Sequence, residues 1–193
     1  MYLYWLPVGA GDHVVRVCSG VYELLAALVQ RRRPCHLYHS ALEVIVPEGR
    51  YVIEVTPIPA GAPGERGVVA EGAVGSDLLG QARLFRYQVR RWQGGVIPDV
   101  SYAVDVAKVA GDATGQRVLE LVPSVPALVW GRDQLHTGDM WNSNSVTSWL
   151  LASAGVDLSG LGPPAGGRAP GWDAGRVAAA RPAGDALRPP HAA

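Results

Sequence analysis

The chain has 193 residues, 48% hydrophobic and 18% charged, which suits one domain with a real core and excludes a wholly disordered protein. Its 17 basic and 17 acidic residues cancel, which argues against nucleic acid or an anionic membrane as the main partner. The cations are sixteen Arg and the single Lys108, beside 24 Gly and 15 Pro, a pattern of GC-rich coding rather than of an Arg-based binding surface.

Cys18 and Cys35 form neither a C-x-x-C pair nor a disulfide framework, and read as buried or neutral thiols of a reducing compartment. The opening Met1-Tyr2-Leu3-Tyr4-Trp5-Leu6 lacks a basic n-region, and no apolar stretch approaches the ~20 residues of a membrane helix. A cytoplasmic protein with no membrane span is the expectation.

In chain order, residues 2–8 read as a strand or apolar plug, and Val14 to Val17 as a short β-branched run. Val21, Leu24, Leu25, Leu28 and Val29 then recur at helical spacing. Arg31, Arg32 and Arg33 follow at the helix C-terminus, where cations complement the dipole, and Pro34 stops it. Residues 36–46 and 51–58 are the clearest strands, and Pro47-Glu48-Gly49-Arg50 should turn them into a hairpin. Residues 59–76 read mostly as loop, and 82–92 as a third strand ended by Gly94-Gly95.

Residues 101–109 are helical or irregular, and 114–122 form a short helix closed by Pro123 and Pro126. A last helix begins near Asn142, runs through Val146, Trp149 and Leu150, and stops at Gly155. Residues 162–167 are loop. From Arg181 the chain has no apolar periodicity and reads as a flexible tail, which leaves residues 1–180 as one domain. The fold class is α+β, with a small antiparallel sheet on 36–46, 51–58 and 82–92 packed against helices.

The chemistry-bearing candidates concentrate at Trp141-Asn142-Ser143-Asn144-Ser145, where small polar residues open a helix. A nucleophile there gains from free backbone N–H groups and the positive end of the dipole. Asn and Ser are equally the preferred N-caps, so capping is the alternative role. His39, on a strand, suits a general base if a nucleophile lies within reach, whereas His36 points to the other face. Glu54 on the neighbouring strand is the candidate to orient His39. Trp141 and Trp149 suit a substrate wall or a packed core. His136 and Asp139 match no metal-ligand spacing, and the Gly-rich 59–75 lacks the Lys-Ser/Thr ending of a phosphate cradle.

A strand histidine, further antiparallel strands and a late polar helix start together resemble the permuted papain-like fold. That clan holds lecithin–retinol acyltransferase-like enzymes and relatives of bacterial cell-wall peptidases. Its Asn-Cys-x-x-Phe type segment is similar to Asn142-Ser143-Asn144-Ser145-Val146, with Ser143 in the cysteine position. Asn142-Ser143-Asn144-Ser145-Val146-Thr147 with Trp149, and Tyr87-Gln88-Val89-Arg90-Arg91-Trp92, also resemble segments of a family of actinobacterial proteins with Asn-Ser-Asn-Thr-Phe-Val. The departure is the missing cysteine, since Cys18 and Cys35 both precede the histidine strand.

The resemblance implies catalysis by Ser143, or Ser145, with His39 as base and Glu54 as orienter. Asn142, Asn144, Ser145 and Trp141 would then contact substrate. A serine hydroxyl, unlike a thiol, stays protonated until attack, so general-base help is obligatory. Two functions follow from the resemblance. One is a serine-dependent hydrolase or acyltransferase acting on amide, ester or thioester bonds. The other is a papain-like scaffold without chemistry that binds a ligand or protein through the same cleft. A small molecule or peptide is the expected partner, with no cofactor, metal or nucleic acid.

Overall fold

The computed structural model describes residues 1–10, 13–57, 67–97 and 99–181, without the side chains of His13, Val14, Val15, Cys18, Pro57 and Leu84. The expected tail beyond Arg181, and the thiol of Cys18, lie outside the described residues. Six strands form an antiparallel sheet in the order β4-β5-β3-β2-β1-β6. They are β1 (Tyr2–Pro7), β2 (His36–Val46), β3 (Gly49–Pro57), β4 (Val68–Ala73), β5 (Arg86–Gln93) and β6 (Asp105–Lys108). A two-residue β7 (Gly167–Arg168) adds to the start of β2 in parallel. The helices are α1 (His13–Val29), α2 (Asp112–Leu121), α3 (Ser143–Ser153) and α4 (Trp172–Ala180). The class is α+β, as composition and pattern implied, and none of these helices is long and apolar enough to cross a membrane.

The β2–β3 hairpin forms as expected, with Val46 opposite Gly49 across Pro47-Glu48. The N-terminal strand is interior: β1 lies between β2 and β6, with Leu3, Trp5 and Leu6 fully buried. Four readings change. The β-branched 14–17 run belongs to α1, β4 lies inside the expected 59–76 loop, and 101–109 holds the edge strand β6. The strand expected from residue 82 starts at Arg86, after tight helical turns.

Alternation along the strands gives the sheet two faces. Leu3, Trp5, Leu42, Val44, Ile53, Tyr87 and Val89 join the main core beneath α2, α3 and α4. Leu6, Ala41, Val52 and Ile97 form a smaller cluster on the opposite face. The main core is closed by α4, an element without a sequence signal, whose Trp172 packs on Trp5 with ring centroids 5.0 Å apart. α3 is covered on both sides. Every residue from Ser143 to Leu151 is buried, because the sheet takes its apolar side and α4 its polar side.

α1 docks in an unusual sense. Its helical spacing is as expected, but Leu24, Leu25, Leu28 and Val29 are 58–82% exposed, while Glu23 is 4% exposed. Glu23 accepts from Arg32, from the Cys35 N–H at 2.9 Å and from the Cys35 thiol at 3.3 Å, and lies 3.5 Å from Arg168. The helix ends at Val29, so Arg32 acts beyond its last turn by reaching back to Glu23. Burial, then Glu23, raise the Cys35 pKa and keep it a neutral thiol.

The Arg32 hydrogen bonds hold the Glu23 carboxyl at about 2, below its ordinary 4.5. A depressed carboxylate stabilises the fold fully above its unfolded value and loses that contribution as pH falls toward the folded one. Glu23→Gln is therefore expected to cost about 2 kcal/mol at pH 7, discounted because the arginines are partly exposed. The gap between wild type and variant should close between pH 4.5 and 2. Thermal melts across that range check it, and a constant gap would contradict the ion-pair account.

Candidate functional site

The site begins where the sheet forks. β2 pairs with β3 only as far as Leu42 opposite Ile53. Beyond that point β2 stays with β1 to Tyr38, while β3 stays with β5 to Pro57. The N-terminus of α3 enters this fork. Asn144, 2% exposed, donates to the carbonyls of Tyr38 and Pro170, each at 2.9 Å, and its Oδ1 accepts from the Ser40 hydroxyl at 2.8 Å.

The rest of the polar segment is also engaged. Asn142 is the N-cap: its Oδ1 accepts from the N–H of Asn144 at 2.9 Å and of Ser145 at 3.4 Å, and its amide donates to Pro170 O. The Ser145 hydroxyl accepts from the Asn142 N–H at 3.0 Å and donates to Met140 O at 3.1 Å, which completes a capping box. Asp139, which sequence reasoning weighed only as a metal ligand, accepts from the N–H of Gly171 at 2.7 Å and of Met140 at 3.0 Å.

Ser143 is the exception. Its hydroxyl has no hydrogen-bond partner among the described residues, and it lines a cavity of about 490 Å³ in the fork. Its N–H opens the helix ahead of the two that Asn142 caps. The cavity is mostly apolar, walled by Val8, Leu37, Tyr38, Val55, Trp130 and Met140. His39 and Asp99 are its titratable lining groups besides tyrosine, and Ser19, Tyr22, Asn142 and Asn144 also line it.

His39 stands opposite Leu6 in the β1–β2 register and alternates with Ser40. Its Cβ therefore starts on the sheet face away from α3, and only the fork brings it to the same cavity as Ser143. No hydrogen bond joins the two among the described residues. Burial lowers the His39 pKa, and Asp99 opposes this, so the imidazole is neutral near pH 7.

Other expected site residues fall elsewhere. Glu54 lies opposite Arg90 on the β3–β5 pair and does not line the cavity. Burial raises its pKa, with Arg90 acting against it. Asp99, not Glu54, is thus the carboxylate that shares the cavity with His39. Trp141 is 1% exposed and donates to the Tyr87 hydroxyl at 3.3 Å, so it is core rather than substrate wall. Trp149 is likewise in the core. Asp99 carried no sequence signal. It adopts a left-handed backbone with φ of 57°, and a lone Asp in an irregular segment has no pattern to mark it.

No protein-family model, no curated protein and no solved structure matches this chain.

Proposed function

We propose that the protein is a serine-dependent hydrolase or acyltransferase, acting on ester, thioester or amide bonds from a permuted papain-like scaffold. One observation carries the reading. Ser143, His39 and Asp99 line one cavity, and Ser143 alone of the polar helix start has a hydroxyl without a partner among the described residues. The scaffold reading is supported by a buried helix start set into a sheet fork, beside a strand that carries histidine.

In this reading His39, kept neutral by burial, takes the Ser143 proton as the oxygen attacks the acyl carbonyl. Asp99 stabilises the imidazolium, and the oxyanion forms beside the Ser143 N–H at the positive end of α3. Collapse breaks the bond to the leaving group, which recovers the proton from His39. The acyl group on Ser143 then passes to water or to another acceptor. The apolar lining suits the acyl portion.

A fluorophosphonate probe tests this. Wild type should be labelled, Ser143→Ala not at all, and His39→Ala at least ~100-fold more slowly. The acid limb of the labelling rate should fall below the ordinary histidine value of 6.5, since burial lowers the His39 pKa. Asp99→Asn should move that limb lower still, because Asp99 raises the same pKa. Wild type left unlabelled would overturn the enzyme reading. A ligand-binding scaffold is the second reading, favoured by the missing His39–Ser143 hydrogen bond. It predicts that an apolar dye binds the cavity equally in wild type and Ser143→Ala.

A further inference from the structure

Val17, Val21, Leu24, Leu25, Leu28 and Val29 occupy one side of α1 and are each more than half exposed. On an ideal helix these positions span an arc of about 140°. The opposite side, with Ser19, Glu23 and Ala27, is the one that meets the protein. The helix is held by the buried Glu23 and its arginine partners and leaves its apolar stripe outward, the reverse of a helix that serves the core.

Charge says what would cover it. Between His13 and Arg33 the sole acid is Glu23, which is buried and paired. Arg31 and Arg33, just past the helix, are exposed and have no partner among the described residues. The α1 helix of a second copy offers these cations no free acid, since its one carboxylate, Glu23, is buried and paired. An antiparallel α1 pair sets them toward Arg16 of the other helix, and a parallel pair sets like charges together. An apolar stripe flanked by unpaired arginines matches an anionic lipid surface. The zero net charge of the chain does not oppose this, because the sum conceals a local excess at one helix end.

We infer that α1 docks the protein on an anionic membrane surface, lying in the interface with its apolar stripe among the lipids. Ser19 and Tyr22 of the same helix line the cavity in the sheet fork. Docking through α1 sets that cavity beside the lipid, where apolar acyl groups reside. The inference rests on α1 and stands whether or not Ser143 is catalytic.

Sedimentation of the full chain with vesicles tests it. Vesicles of phosphatidylglycerol and phosphatidylcholine should bind roughly 30-fold tighter than phosphatidylcholine alone, at ~1 kcal/mol for each arginine. Salt should weaken the binding. Leu24→Asp with Leu28→Asp should lower it roughly 100-fold. Arg31→Ser with Arg33→Ser should remove the preference for anionic vesicles. These side chains are exposed, so the melting temperature should hold in both variants, and the arginine variant tests the idea independently if the leucine variant unfolds. Absence of vesicle binding, or equal binding to both compositions, would overturn the inference. So would light scattering that shows a dimer which the leucine variant splits.

Discussion

Gly175→Ala is expected to destabilise the protein by about 3 kcal/mol or more, although alanine favours helix by ~1 kcal/mol over glycine. A Cβ at Gly175 would overlap the Ser145 carbonyl oxygen and the Ser148 hydroxyl, which place backbone and a bonded side chain in its way. Ser148 donates to the Trp172 carbonyl at 2.7 Å, so α3 and α4 cannot separate without breaking that bond. Trp172 would also leave Trp5, loosening the main core. Denaturant midpoints measure the effect, and a midpoint equal to wild type would mean that the helices pack less closely than described. Because α4 holds the polar side of α3, the same variant should lose fluorophosphonate labelling with its fold.

Asn144→Ala is expected to cost about 4 kcal/mol, against about 0.5 kcal/mol or less for Ser143→Ala. The two residues are adjacent and both buried, yet their bonding is opposite. Asn144 loses three side-chain hydrogen bonds, and the Tyr38 and Pro170 carbonyls and the Ser40 hydroxyl lose a buried partner. Ser143 gives up a hydroxyl that bonds to nothing among the described residues. Labelling should invert the order, with Ser143→Ala fully folded and unreactive. Equal stability losses at the two positions would show that Ser143 also serves the cap.

The sequence alone determined the elements whose signals are local. The hairpin on 36–46 and 51–58 and the helix opened by Asn142 depend on alternation, turn residues and caps, which act within a few positions. Asn142 and Ser145 were legible as capping residues for the same reason. Facing was not legible. The spacing of Leu24, Leu25 and Leu28 marks a helix but carries no direction, and the ion pairs of Glu23 with Arg32 and Arg168 turned that stripe outward. His39 was legible as a strand histidine, but its place in one cavity with Ser143 goes with the fork beyond Leu42 and Ile53, which long-range pairing decides. Asp99 joined the site, and Glu54 and Trp141 stayed out of it, through register and burial that no local pattern encodes. Tertiary structure alone made α4 a helix that matters: its weak Gly-Ala sequence is what close approach to Ser145 and Ser148 requires, and only the partner helix reveals that need.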